Sequence, residues 1–178
     1  MGIYLIEYKQ DRNFLLGVND QQDGAAIVLR EKGTILRYVA WDLNYDTGAI
    51  TLNSSGGDLA IGADRVAHEA RLSLTVYNRV DQRQRWELLK RPGFILSFAD
   101  SSLCIDNDAR QTNDGNQVRL YKFNGSPAQQ WNFVPLMSRR AMEAEEKAIS
   151  PMGSSNSSTC GRLNSPRQDE RIMRRILQ

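Results

Sequence analysis

The side chains best suited to covalent or acid-base chemistry are scarce in this chain. His68 is its one histidine and stands in the polar stretch Arg65-Val66-Ala67-His68-Glu69-Ala70, while Cys104 and Cys160 are its only cysteines. A nucleophile needs a base beside it, and that base is most often imidazole, so one histidine in a polar stretch reads as a solvated loop residue. The cysteines have no metal-ligand spacing, and the chain has neither a Gly-rich phosphate loop nor a Gly-x-Ser-x-Gly elbow. Paired carboxylates need no proximity in sequence, but nothing singles out a pair. These residues predict a protein that is not an enzyme and that uses neither metal nor cofactor.

Composition bounds the partners. The 178 residues, 40% hydrophobic and 25% charged, suffice for one ordinary core, so one domain with an appendage is expected. With 23 basic and 21 acidic residues the net charge is +2. That is not the one-sided field that nucleic-acid binding usually needs, so no nucleic-acid partner is expected. Met1 to Lys9 lacks a basic n-region, a sustained apolar stretch and a cleavage site, and reads as a first β-strand. No window approaches the length of a transmembrane helix, and Ile6 stands where a myristoylation motif needs Ser or Thr. Two cysteines make no disulfide framework and point to a reducing compartment. The sequons at Asn53, Asn124 and Asn156 are therefore given no weight. The expected location is cytoplasmic, or outside the cell after export without a classical signal peptide.

The elements that must position any site follow from the tryptophans. Trp41, Trp86 and Trp131 are each 45 residues apart. Upstream of each, the triplets Leu16-Gly17-Val18, Leu59-Ala60-Ile61 and Leu103-Cys104-Ile105 open a segment. Ile27-Val28-Leu29, Leu72-Ser73-Leu74 and Val118-Arg119-Leu120 follow. Alternation with period two puts the outer residues of each triplet on one face of a strand. Asp23-Gly24, Ser55-Gly56-Gly57-Asp58, Asn113-Asp114-Gly115-Asn116 and Asn124-Gly125-Ser126-Pro127 supply turns. The pattern predicts an all-β fold of three ~45-residue repeats with about four short strands each. A segment of this size cannot bury its apolar face alone, so three must close on one another, with Trp41, Trp86 and Trp131 in the core.

The third segment carries a family resemblance. Leu103-Cys104-Ile105-Asp106, then Asn116 to Gly125, then Gln129-Gln130-Trp131 is similar to the ricin B-type lectin repeat, with its apolar-Asp opening, its aromatic and its terminal Gln-x-Trp. The second segment keeps Gln84-Arg85-Trp86, and the first, with Val39-Ala40-Trp41, keeps only the Trp. The resemblance covers about residues 3 to 136. It implies a β-trefoil domain over 1–136, with repeats at about 3–47, 48–91 and 92–136, and a C-terminal extension over 137–178. The family's paired half-cystines would fall at Cys104 and Phe123, so one is absent.

What the resemblance implies for function is a sugar site. A carboxylate or amide exchanges hydrogen bonds with vicinal hydroxyls while an aromatic ring covers the C–H face of the sugar. Carried over, the third repeat offers Asp106 as hydroxyl acceptor, Tyr121 as stacking platform, Asn124 as amide contact and Gln129 as the group that orients Asp106 or touches the sugar. Ala128 stands where sugar-binding repeats often have Asn. The second repeat has Gly62 and Thr75 at the Asp and aromatic positions. The first has Asn19 and Arg30, with Val39 at the Gln position, so both repeats are expected to be silent. The residues alone admit a structural reading, Asp106 as a turn former and Tyr121 as a strand residue. One shallow site implies affinity on the order of 1 mM, which calls for multivalency.

Beyond Pro135 the pattern changes. Ser138 to Ala148 is helix-prone and charged, Ser150 to Ser158 is a Ser/Gly-rich linker, and Ser165-Pro166 caps a last amphipathic helix of about eleven residues. Ile172, Met173, Ile176 and Leu177 line one side of that helix among arginines, a stripe suited to docking on this domain or on a protein partner, with an anionic membrane surface third. The expected function is therefore a carbohydrate-binding module with one site in its third repeat, for a galactose-like or related sugar. The competing reading is a β-trefoil interaction or structural subunit attached to a larger assembly through its C-terminal tail. Protease inhibition, known among β-trefoils, has no loop here to support it.

Overall fold

A computed structural model describes residues 2–136 of the chain. Among the described residues twelve strands occur, four in each segment. The first has β1 (Gly2–Tyr8), β2 (Phe14–Val18), β3 (Ile27–Glu31) and β4 (Ala40–Asn44). The second has β5 (Ala49–Leu52), β6 (Leu59–Ala63), β7 (Ala70–Val76) and β8 (Trp86–Glu87). The third has β9 (Leu96–Ser97), β10 (Leu103–Asn107), β11 (Val118–Lys122) and β12 (Trp131–Pro135). All neighbouring pairs are antiparallel, and β12 returns to β1 from Tyr4↔Pro135 to Tyr8↔Trp131. The chain therefore closes where it began, and closure removes the open edges on which sheets aggregate.

The second and third strands of each segment form a hairpin, and the three hairpins are joined in a triangle. The amide of Leu74 donates to the Ala25 carbonyl at 2.8 Å, that of Leu29 donates to the Asn116 carbonyl at 2.8 Å, and Leu120 pairs with Ala70. Each bond links a segment to its neighbour at the same position. Beneath the triangle lies one core, to which the segments contribute alike: Leu16, Ile61 and Ile105 from the second strands, Leu29, Leu74 and Leu120 from the third, and the three tryptophans. Burying each such aliphatic side chain contributes about 1.5–3 kcal/mol.

The tryptophans also set the register. Trp41, Trp86 and Trp131 are 0%, 3% and 1% exposed. A buried indole N–H needs an acceptor, and it finds the same one three times: Nε1 donates to the Leu16 carbonyl at 2.9 Å, to Ile61 at 3.1 Å and to Ile105 at 3.3 Å. Threefold repetition of four strands, hairpin triangle and indole bond defines a β-trefoil. It also corrects the first repeat. Leu16 is the counterpart of Ile61 and Ile105, not of Leu59 and Leu103, so Phe14-Leu15-Leu16-Gly17-Val18 matches Leu103-Cys104-Ile105-Asp106-Asn107. The residue of the first repeat at the Asp106 position is Gly17 rather than Asn19.

Candidate functional site

Strand β10 is buried along its whole length. Leu103 and Ile105 face the core, so by alternation Cys104 and Asp106 face the other side. Directly opposite on β11, Cys104 pairs with Tyr121 and Asp106 with Arg119. Cross-strand partners share a face, which places Asp106, Arg119 and Tyr121 together.

Gln129 joins them from the 3-10 turn Pro127–Gln129. Its side chain is fully buried and has four partners. Nε2 donates to Asp106 Oδ2 at 3.0 Å and to the Lys122 carbonyl at 2.8 Å, and Oε1 accepts from the amides of Asn124 at 2.9 Å and Gly125 at 3.2 Å. The amide is thereby fixed in one orientation and presents an N–H to one oxygen of the carboxylate. Asp106 is 5% exposed. Burial pushes its carboxyl above the usual carboxylate range, while the Gln129 hydrogen bond and the Arg119 charge pull it back. Oδ1 makes no hydrogen bond among the described residues, whereas Oδ2 accepts from Gln129.

Arg119 belongs to this face and was not anticipated. Its terminal nitrogens reach Asp108 Oδ1 at 2.9 Å and Glu69 Oε1 at 3.6 Å, and its guanidinium lies 4.6 Å from the centre of the Tyr121 ring. Its Nε is buried with no partner among the described residues. The signal was available: Arg119 is two residues before Tyr121 on a strand, so alternation alone sets it beside the aromatic. Tyr121 is half-buried, and on it lies a second unexpected neighbour, the His68 ring, with centroids 4.1 Å apart and planes at 60°. His68 is thus the partly solvated loop residue expected, its side chain 36% exposed, with a contact on Tyr121 that was not foreseen.

Of the four residues expected to meet a sugar, Asp106, Tyr121 and Gln129 share the site. Asn124 is exposed at its border, its Oδ1 accepting the Ser126 amide at 2.8 Å. Asn78 does the same in the second repeat, accepting from the Val80 amide at 3.1 Å. Gln84 likewise repeats Gln129, with Nε2 donating to the Val76 carbonyl at 2.8 Å and Oε1 accepting the Asn78 amide at 2.7 Å. The aromatic differs, with Arg30 and Thr75 standing where Tyr121 does, and so does the acid. At its position stand Gly17 and Gly62, where an added Cβ would come within 2.8 Å of the Tyr38 carbonyl and within 2.6 Å of Thr75 Oγ1. The tail residues Ile172, Met173, Ile176 and Leu177 lie outside the described residues.

A concavity of about 110 Å³ lies elsewhere, lined by Tyr45, Gly48, Arg85, Trp86, Leu89 and Phe98 among others, and shares no residue with this face. Its guanidinium is already engaged: Arg85 Nε donates to the Thr47 carbonyl at 3.0 Å and the group lies 3.8 Å from the Phe98 ring centre. Asp46 and Glu87 also line the concavity, beside Tyr45 and Phe98. Among the described residues no helix is long and apolar enough to cross a membrane.

Comparison with known proteins agrees with the architecture. Residues 82–144 match the family described as ricin-type beta-trefoil lectin domain-like. Solved structures share the fold. A designed threefold symmetric protein, ThreeFoil, is 21% identical with a TM-score of 0.66, over 76% of this chain and 100% of that one. The C-half of an earthworm R-type lectin, solved in complex with GalNAc, is 16% identical with a TM-score of 0.63, over 76% and 100%. A mosquitocidal holotoxin is 16% identical with a TM-score of 0.66, over 76% of this chain and 17% of the toxin. No curated protein matches the chain.

Proposed function

We propose that this protein is a carbohydrate-binding module whose site lies in the third repeat, with Asp106 accepting from a sugar hydroxyl, Gln129 orienting that carboxylate, Tyr121 covering the ring's C–H face and Asn124 at the rim. The observation that carries the reading is the contrast among repeats. A buried carboxylate costs folding free energy, and glycine serves at the same position in the other two repeats. An acid that the architecture does not require, held by a glutamine with all its hydrogen bonds made, is what a hydroxyl-binding site needs. The earthworm lectin with its GalNAc supports the choice of a galactose-like sugar. One such site is weak, so display in several copies is expected to accompany it.

The test is a glycan array probed with multivalently displayed wild type and Asp106→Ala. Specific binding that disappears in the variant supports the reading. A folded, multivalent wild type that binds no glycan defeats it.

A second reading, a protein-interaction module, is favoured by one observation: Tyr45, Leu89 and Phe98, 42%, 71% and 41% exposed, line the same concavity. Attachment through residues 137–178 belongs to this reading. Retention of every partner after deletion of that segment would exclude attachment through the tail.

A further inference from the structure

The loop that carries His68 has a counterpart in each repeat. Ala25, Ala70 and Asn116 are equivalent, each donating its amide to the carbonyl three residues before it: Gln22 at 3.1 Å, Ala67 at 3.2 Å and Asn113 at 3.1 Å. Asp23, His68 and Asp114 therefore occupy one position, and Gly24, Glu69 and Gly115 the next. Each residue of the first set fastens its repeat to the following one. Asp23 Oδ1 accepts the Val76 amide at 3.2 Å, His68 Nδ1 accepts the Lys122 amide at 3.3 Å, and Asp114 Oδ1 accepts the Glu31 amide at 3.0 Å. Val76, Lys122 and Glu31 end β7, β11 and β3. The trefoil thus has a ring of three inter-repeat latches, two made by aspartate and one by histidine.

The histidine latch is the one beside the candidate site, and the residue after it departs from the pattern too. Gly24 and Gly115 have φ of 84° and 82°, and Glu69 holds a φ of 61° where they use glycine. A non-glycine residue in the left-handed region is strained. The strained glutamate is the one whose Oε1 lies 3.6 Å from Arg119 and 4.0 Å from His68 Nε2. Two departures, at adjacent positions in one repeat, converge on Arg119 and Tyr121 of the next.

We propose that His68 is a protonation-sensitive positioning residue of the third-repeat site, lent to it by the second repeat together with Glu69. This rests on the carbohydrate reading given above. The neutral imidazole, held through Nδ1 by the Lys122 amide, fixes the Tyr121 ring on which it lies. A proton on Nδ1 removes the lone pair that accepts that amide and sets N–H against N–H. The charged groups around it belong to its own loop and to β7 and β11. Arg119 shares both the Tyr121 ring and the Glu69 carboxylate with His68, Arg71 on β7 pairs in register with Arg119, and Lys122 supplies the latched amide. The Glu69 carboxylate, 4.0 Å from His68 Nε2, is engaged by Arg119, which Asp108 holds at 2.9 Å. Protonation therefore opens the latch and frees Tyr121, so glycan affinity falls as the pH falls.

The experiment uses the full chain, in which His68 is the one histidine, so its imidazole resonances are unambiguous. Expected at high pH is the tautomer with the proton on Nε2. On acidification the Lys122 amide and Tyr121 ring signals should follow the imidazole titration in wild type. Both should be flat in His68→Asp, since Asp23 and Asp114 show that an aspartate makes the same bond. For a glycan identified on the array, wild-type Kd should rise by about fivefold or more from about pH 7.5 to about pH 5.5, and His68→Asp should keep a level profile. Glu69→Gly should raise Tm by relieving the backbone while weakening binding, a split that a purely structural role does not produce. A proton on Nδ1 at high pH, or a Lys122 amide that ignores the imidazole, overturns the latch even where glycan binds. A pH-independent wild-type Kd overturns its role in binding. A working latch in a protein that binds no glycan removes the carbohydrate reading and leaves the latch as a property of the fold.

Discussion

Gly62 of the second repeat and Asp106 of the third occupy one position of the trefoil, each directly after the residue whose carbonyl accepts a tryptophan indole from the end of its repeat. One is closed over by Thr75 and Gln84, and the other holds an acid against Gln129. The strand register and the buried glutamine are kept around both, while Ser73 and Thr75 stand where the third repeat has Arg119 and Tyr121.

Asp106→Asn should abolish glycan binding and raise stability at pH 7. The folded protein holds the Asp106 carboxyl above its ordinary 3.8, with burial as the main cause. A raised carboxyl favours the folded state below the unfolded value and loses that contribution as the pH rises through the folded value. Wild type is therefore penalised at neutral pH and the neutral amide is not. Urea midpoints of the two proteins should differ at pH 7 and converge as the pH falls below about 3.8. A variant less stable than wild type at pH 7 would contradict the account of burial.

Alanine at Gly17 should cost more than alanine at Gly62. The new Cβ at Gly17 meets a backbone oxygen, that of Tyr38, at 2.8 Å, as well as Arg30 Cγ at 2.6 Å. At Gly62 its closest neighbour is the Thr75 hydroxyl at 2.6 Å, a side-chain group that rotation about χ1 moves away at the loss of its hydrogen bond from Gln84 Nε2. Overpacking of this kind costs about 1–3 kcal/mol, and denaturant titration should place Gly17→Ala toward the upper end and Gly62→Ala toward the lower. The reverse order would show that the strand ends relax differently from their neighbours.

Phenylalanine in place of Trp41, Trp86 or Trp131 should destabilise the fold by similar amounts. Each change leaves one buried carbonyl, of Leu16, Ile61 or Ile105, without its indole donor. An unsatisfied buried group costs about 1–3 kcal/mol, before any loss of packing. Chemical denaturation of the three variants measures this, and a neutral substitution at any one of them would break the equivalence.

Cys104 should resist alkylation in the native protein. Burial, and then the charge of Asp106, push its thiol up to about 12 from the ordinary 9.0. At pH 8 that lowers the thiolate fraction on the order of a thousandfold, and the thiolate is the nucleophile. In a Cys160→Ser background, iodoacetamide should react only as fast as the protein opens. Reaction at the rate of a free thiol under native conditions would place the sulfur elsewhere.

The threefold architecture is legible in the sequence because the tryptophan spacing is regular and the apolar pattern is strong, and the strand pairs around Leu29, Leu74 and Leu120 follow directly. The first repeat's opening strand is read two residues out of register for a physical reason. Side chains alternate with period two, so a slip of two returns every residue to the same face, and Leu16-Gly17-Val18 fits the pattern as well as Phe14-Leu15-Leu16 does. Only the indole bond to the Leu16 carbonyl, a contact across 25 residues, decides it. Asp106, Tyr121 and Gln129 are found through the repeat register. His68 is missed because it comes from another repeat, and no local pattern records what a loop touches on its neighbour.

The pairing of β1 with β12 means that the trefoil has no structural beginning. Joining residue 136 back to residue 2 and opening the chain instead at the exposed turn around Gly56 would break no strand pair. The repeat that carries the acid is third only in the order of synthesis. The repeat that lends it the His68 loop would be divided, β5 at one end of the reopened chain and β6 to β8 at the other, and the ring of contacts would survive the change of origin.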